Sequence, residues 1–203
     1  MWNKTLISGN ASKLAQRAGL LLLALLLSAC SSLSASKEQQ PLLQLTPASL
    51  GATLSLTQRL AVVRLHGVAE RQQSLDVLLE VDTQRVHLAG FALGQRILTL
   101  SWDGETLQTE RHPLLPAAID GVHVLRDIQL IYWPADAIRA ALPAGWYLVE
   151  QERRRELWHG QQIAVDIHYP ATPRWHGRTL LQNQREGYQL TIDSQETAAD
   201  PGL

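Results

Sequence analysis

The sequence predicts a mainly β, α+β domain: a curved antiparallel sheet, or half-open β-barrel, with one or two helices packed as a lid on its concave face. Three observations predict it. Apolar residues recur with period two in several rows, short turn signals separate the rows, and one central stretch leaves that period for a helical one.

Leu75, Val77, Leu79 and Val81 alternate with Asp76, Glu80 and Asp82. Ile163, Val165, Ile167 and Tyr169 alternate with Asp166 and His168, and Leu98, Leu100 and Trp102 form a third row. Successive side chains of a strand point to opposite faces, so each row is the buried face of a half-exposed strand. Turn signals fall at His66-Gly67, Asp82-Thr83-Gln84, Leu93-Gly94-Gln95, Asp103-Gly104, His159-Gly160 and Glu186-Gly187. Connections this short join antiparallel strands, whereas parallel strands need a crossover of a dozen residues or more.

His112-Pro113-Leu114-Leu115-Pro116 interrupts the strands. Residues 122–132 then place Val124, Ile128, Ile131 and Tyr132 at helical spacing, although the same stretch also reads as extended. Residues 134–142 are the stronger helix: proline is preorganised for a first turn, alanine is abundant, and Pro143 with Gly145 stops it. Ile138 and Leu142 form its apolar side. The space between sheet and helix is either packed solid or left as an apolar cavity that takes a ligand.

The N-terminal residues read as a leader. A basic n-region carries Lys4, Lys13 and Arg17, and residues 18–27, with seven leucines, form an h-region. This run is too short to span a bilayer, which needs roughly 20 residues. Leu27-Ser28-Ala29-Cys30 closes it and resembles the bacterial lipobox, in which the thiol accepts a diacylglyceryl group and small residues admit the signal peptidase. Residues 1–29 are then a lipoprotein signal peptide and Cys30 the lipidation site. Residues 30–49 become a lipidated N-terminus and flexible tether rich in Ser, Gln and Pro, 50–195 the β domain and 196–203 a disordered tail. Each buried methylene of the anchor contributes about 0.8 kcal/mol. Ser31, where enterobacterial lipoproteins retained in the inner membrane carry Asp, resembles an outer-membrane sorting signal, which places the domain at the periplasmic face.

Composition narrows the function. The whole chain carries a net charge of −1, and removing the leader leaves 15 basic against 19 acidic residues. A mildly acidic surface lacks the clustered cations that phosphate neutralisation needs, so nucleic acid is not expected as a partner. Cys30 is the one cysteine, which excludes an intrachain disulfide and a thiolate zinc site.

No Gly-x-Ser-x-Gly elbow, phosphate loop or dinucleotide fingerprint occurs, so no catalytic residues, metal or cofactor are assigned and the chain reads as a non-enzyme. His159, His168 and His176 match no helical ligand pair; two of them would meet across a hairpin or stand as solvated strand residues. Glu150 and Asp166 form either a carboxylate pair or ordinary surface acids. Arg153-Arg154-Arg155, between Glu152 and Glu156, is either a solvated turn or strand end or a contact for anionic headgroups. Five tryptophans fall after the leader, against a single Phe. Tryptophan suits the mouth of an apolar cavity as well as a core. Trp133 and Trp146 bracket the predicted lid helix, so the candidate cavity lining is Leu98, Leu100, Trp102, Trp133, Ile138 and Trp146.

The lipobox, the strand run, Gly90-Phe91-Ala92-Leu93-Gly94-Gln95-Arg96-Ile97-Leu98 and the central helical insert resemble the LolA/LolB lipoprotein carrier and receptor fold. Tyr132-Trp133-Pro134-Ala135 through Leu142-Pro143-Ala144-Gly145-Trp146 resembles the signature of an uncharacterised outer-membrane lipoprotein family found beside aryl polyene biosynthesis genes. The resemblance spans roughly residues 50–193. It implies an unclosed barrel, lidded by helices, that binds or traffics an acyl or polyene chain or the acyl chains of lipoproteins. The membrane lipid, that ligand and other envelope proteins are the implied partners. LolB-type receptors also carry an exposed apolar residue on a protruding loop, for which Leu114-Leu115 is the candidate. The alternative is a structural or assembly lipoprotein with a solid core that anchors a partner.

Overall fold

In the computed structural model, described over residues 39–65, 73–113, 115, 119–170 and 172–197, ten antiparallel strands form one sheet. The N-terminal meander comprises β1 (Leu54–Arg64), β2 (Gln73–Val81), β3 (Val86–Ala92), β4 (Gln95–Trp102) and β5 (Leu107–Arg111). Two helices follow, α1 (Gly121–Tyr132) and α2 (Ala135–Ala141). The C-terminal meander comprises β6 (Trp146–Gln151), β7 (Arg154–His159), β8 (Gln162–His168), β9 (Gly177–Asn183) and β10 (Tyr188–Glu196).

The order across the sheet is β5-β4-β3-β2-β1-β10-β9-β8-β7-β6. The first and last strands therefore pair in the middle, with Gln58 opposite Ser194 and Leu60 opposite Ile192. β5 and β6 are left as the two edges, and the chain between them supplies both helices. The barrel is thus unclosed, as the sequence predicts. Residues of β1, β2, β3, β4 and β10 face the same side of α1, so the sheet bends around that helix.

The period-two rows fall where expected except at Asp166, which is buried beneath its Arg154 partner although the alternation reads it as exposed. Val77, Leu79 and Val81 are buried while Asp76, Leu78 and Glu80 are exposed. Five of the six turn signals sit at hairpin turns; His66-Gly67 lies outside the described residues. The β6–β7 turn at Glu152-Arg153 contains neither glycine nor proline, and in the sequence only its run of charges marks it.

Residues 122–132 resolve as helix. Asp120 caps it, its side chain accepting from the Val122 N–H at 3.1 Å. Gly121 brings the helix start against β5: a Cβ there would lie 2.1 Å from Thr109 Cγ2, so no larger residue fits. Trp133 ends the helix in extended conformation, as a residue before proline must. Pro134 caps α2 from just outside its first turn, and Ile138 is its fully buried contact.

Residues 40–49, assigned from sequence to the tether, pack on the domain. Gln40, Leu43 and Leu50 are buried. The Gln129 amide bonds both ways to the Leu45 backbone, at 3.1 and 2.8 Å, as a neighbouring strand would. Cys30 and residues 198–203 lie outside the described residues.

Candidate functional site

A cavity of about 490 Å³ lies between α1 and the centre of the sheet. Thirteen of its lining side chains are apolar or glycine, among them Leu60, Val62, Val77, Leu88, Ile128 and Leu190. This volume falls within the usual range for small-ligand sites.

Exposure along the walls gives the cavity a direction. Arg64 on β1 is exposed, and Val62, Leu75, Ile119, His123 and Val124 are half-buried, which places the mouth at the C-terminal end of β1 and the start of α1. Val77, Ile131, Tyr132 and Ile192 are buried and mark the opposite end. From Arg64 to Gln58 the β1 wall runs six residues, about 20 Å of strand.

Gly90 makes part of this room. It lies on the wall between Val77 of β2 and Leu98 of β4, where the β3–β4 register shifts. A Cβ at Gly90 would approach nothing closer than 3.5 Å, so the glycine is not forced by a backbone clash.

A charged cluster forms the polar side of the mouth. The buried Arg126 guanidinium donates from Nε to Asp127 Oδ1 at 3.1 Å, from Nη1 to Glu186 Oε1 at 2.6 Å and from Nη2 to the Tyr188 hydroxyl at 3.0 Å. Tyr188 in turn donates to Asp127 Oδ2. Burial pushes the Asp127 carboxyl and the Tyr188 phenol up from their ordinary values. For Arg126, burial works against the charge, but Asp127 and Glu186 outweigh it and hold the guanidinium above its ordinary value. The cluster ties α1 to the β9–β10 turn, because Glu186 lies in that turn and Tyr188 opens β10 directly after it.

Of the six candidate lining residues, Leu98 alone is on the cavity wall. Leu100 and Ile138 are packed core with no exposed surface. The tryptophans are buried with their polar handles turned elsewhere. Trp102 Nε1 donates to Leu45 O at 2.8 Å, and Trp133 Nε1 to Thr46 O at 3.1 Å and Ser49 Oγ at 2.9 Å, so both hold the N-terminal stretch. Trp146 packs against His159 with the rings tilted by 32° and centroids 4.6 Å apart, beneath the Arg185 guanidinium. The roof of the cavity is α1 rather than α2. The sequence signal for this was the Val124, Ile128 and Ile131 stripe, and all three residues line the cavity.

The remaining polar candidates disperse. His168 Nε2, on β8, is 3.2 Å from Asp166 and His176 Nε2, in the loop before β9, is 3.2 Å from Glu196, whereas His159 ends β7. No group of three potential ligands gathers among the described residues. Glu150 is held by Arg155 and Arg174, whereas Asp166 is held by Arg154 through two hydrogen bonds of 2.9 Å. Arg153 is in the β6–β7 turn and Arg154 is on the outer face, but Arg155 is fully buried. The triplet is therefore a turn and strand end, as read, but the place of Arg155 on the inward face of β7 overturns the reading of that residue as solvated.

Leu115 is buried, its carbonyl accepting from Arg111 Nη2 at 3.2 Å, and Leu114 lies outside the described residues. A fully exposed leucine is found instead at the β3–β4 hairpin tip, at Leu93. Leu93 and Gly94 both have positive φ, 51° and 76°. A two-residue turn of that kind favours Asn-Gly, and leucine is strained in its first position.

A family model described as "Protein of unknown function (DUF3261)" matches residues 55–196. Comparison with curated proteins finds no match. Among solved structures, the chain is similar to the crystal structure, at 1.75 Å resolution, of a DUF1329 family protein from Desulfovibrio piger ATCC 29098. The two are 10% identical with a TM-score of 0.33, over 77% of this chain and 90% of that one. At that score the ligand and activity are left to be read from this chain's own cavity.

Proposed function

The chain belongs to the DUF3261 family of proteins of unknown function, and from its cavity we propose that it is a non-enzymatic carrier or receptor for an apolar chain. The ligand is an acyl or polyene lipid, or the acyl chains of a lipoprotein, seated between α1 and the sheet. Cys30 anchors the protein to the outer membrane by its own lipid, with the domain at the periplasmic face. The observation that carries this reading is the apolar cavity of about 490 Å³ enclosed by five strands and one helix. Each methylene transferred from water contributes about 0.8 kcal/mol, so ten contribute roughly 8 kcal/mol before the costs of ordering the chain.

Purified Cys30→Ser protein is expected to take up a fluorescent fatty acid at one site and to release it to unlabelled dodecanoic acid. If saturating probe gives neither uptake nor competition, the carrier reading fails and an anchoring lipoprotein, detected by a stable complex in pull-downs, takes its place.

A carrier must meet its membrane, and Leu93 supports such a contact. An exposed leucine at a strained position is worse for the fold than Asn would be, so its presence there favours a role outside the fold. Leu93 also projects from the same end of the sheet as the cavity mouth, since Gly90 pairs with Val77 and the hairpin runs on beyond it. Leu93→Asn is expected to weaken binding to phosphatidylethanolamine/phosphatidylglycerol vesicles about tenfold, in keeping with roughly 1.5 kcal/mol for removing one leucine from the bilayer. The same change is expected to leave fatty-acid uptake intact and to raise the melting temperature. Unchanged vesicle binding would remove Leu93 from the account.

A further inference from the structure

Resting on that reading of the cavity, we infer that the ligand carries a hydroxyl group at the end of the chain that is buried deepest. The blind end of the cavity is not wholly apolar. Gln58, on β1, is 4% exposed and lines it together with Tyr132, at the last turn of α1. Gln58 Nε2 donates to the Tyr132 hydroxyl at 2.6 Å and to Ser194 Oγ, on the paired strand β10, at 2.8 Å. The two hydroxyls are themselves 3.4 Å apart.

These contacts use both protons of the amide nitrogen. Among the described residues, no donor reaches Gln58 Oε1. Nor is that oxygen sealed inside protein, as Gln40 Nε2 and Trp146 Nε1 are. It faces the space that Gln58 lines. The Tyr132 and Ser194 hydroxyls each donate or accept, so the amide can present either end to them, and its other end then faces the cavity. A hydroxyl pairs with a carboxamide in both orientations. A purely apolar chain end would strip water from this amide and leave it unpaired, and sites built around a buried polar group disfavour ligands that lack its partner.

Charge is segregated to the other half of the cavity. Arg64 is six residues from Gln58 and pairs with Tyr188, which holds Asp127 and directly follows the turn carrying Glu186, while Asp120 and His123 stand at the opposite end of α1 from Tyr132. No ionised side chain lines the blind end among the described residues, so a charged ligand terminus there would be buried without a counter-ion. Burial also holds the Tyr132 phenol above its ordinary value, which keeps its proton on oxygen. A neutral two-way hydrogen-bonding group is what this end accepts, and a carboxylate or headgroup stays at the mouth.

The test compares dodecanoic acid with ω-hydroxydodecanoic acid as competitors for the fluorescent fatty acid on Cys30→Ser protein. The carboxylates keep both acids in one direction. Hydrophobicity alone favours the plain acid; the inference requires the hydroxy acid to bind about fivefold tighter. In Gln58→Met, which keeps the side-chain length and removes the amide, the order must reverse. Tighter binding of the plain acid to the unaltered site, or a ratio unmoved by Gln58→Met, overturns the inference and leaves the cavity reading standing. If neither acid displaces the probe, the cavity reading itself is refuted and this inference with it. The comparison at the unaltered site decides even where Gln58→Met does not fold.

Discussion

Gly90→Leu is expected to abolish most ligand uptake while leaving the protein at least as stable as before. The Gly90 Cα faces the cavity from β3, and a Cβ placed there meets Leu98 Cβ at 3.5 Å and Val77 at 3.9 Å, ordinary contact distances. The new side chain would occupy the space of about four ligand carbons. At 0.8 kcal/mol each this is roughly 3 kcal/mol, or about a hundredfold in affinity. Glycine within a strand meanwhile destabilises by about 0.5–1 kcal/mol, so its replacement favours folding. Titration with a fluorescent fatty acid reads the first effect and urea denaturation the second. Unaltered uptake in a stable Gly90→Leu protein would mean that the probe binds elsewhere.

Arg155→Met is expected to destabilise the domain by about 1–3 kcal/mol, the range for leaving a buried hydrogen-bonding group unsatisfied, since Arg174 still holds Glu150. Arg155 has no exposed surface. Its Nη1 donates to Leu130 O at 2.5 Å, satisfying a carbonyl in the last turn of α1, where the helix leaves acceptors without intrahelical partners. Its Nε donates to Glu150 Oε2 at 2.8 Å. Nη2 lies 2.6 Å from the same oxygen but off the hydrogen-bonding direction, so that contact is an ion pair only. Tyr169 reinforces the anchor by donating to Ile131 O at 2.9 Å. Burial lowers the Arg155 guanidinium from its ordinary value, and a cation in this position also complements the negative end of the helix dipole. Since α1 roofs the cavity, this group holds the roof to β7. Lysine keeps the charge but not the fork, so Arg155→Lys is expected to recover only part of the loss. Urea midpoints measure both variants, and a cost under about 1 kcal/mol for Arg155→Met would show that α1 is held by apolar packing alone.

What the sequence made legible follows from which signals are local. Alternation in 75–82 and 163–169 reports burial on one face of a strand, and no tertiary information is needed to read it. Most turns announce themselves through glycine. Glu152-Arg153 does not, and the Arg153–Arg155 triplet consequently read as one solvated run, although alternation along β7 turns Arg154 outward and Arg155 inward. The cavity is different in kind. Its place depends on which helix the sheet wraps, and α2 carried the stronger helix signals while α1 carried the longer apolar stripe. Tryptophan counts pointed to a binding site because Trp is amphipathic, yet Trp102 and Trp133 use that property to fasten residues 45–49. The functional residues passed over, Gly90, Gln58 and Leu93, each matter through something composition does not encode: a missing side chain, an amide atom left facing a void, and a positive φ.

The central claim is that the space between α1, β1 and β10 holds an apolar chain, and crystallography with a fatty acid brominated near its terminal carbon tests it most directly. The account predicts an anomalous bromine peak at the blind end, near Ile131 and Ile192, with the carboxylate toward Arg64 and His123. A bromine peak outside this cavity, or side chains collapsed into it with no ligand density from crystals grown at saturating ligand, would contradict it.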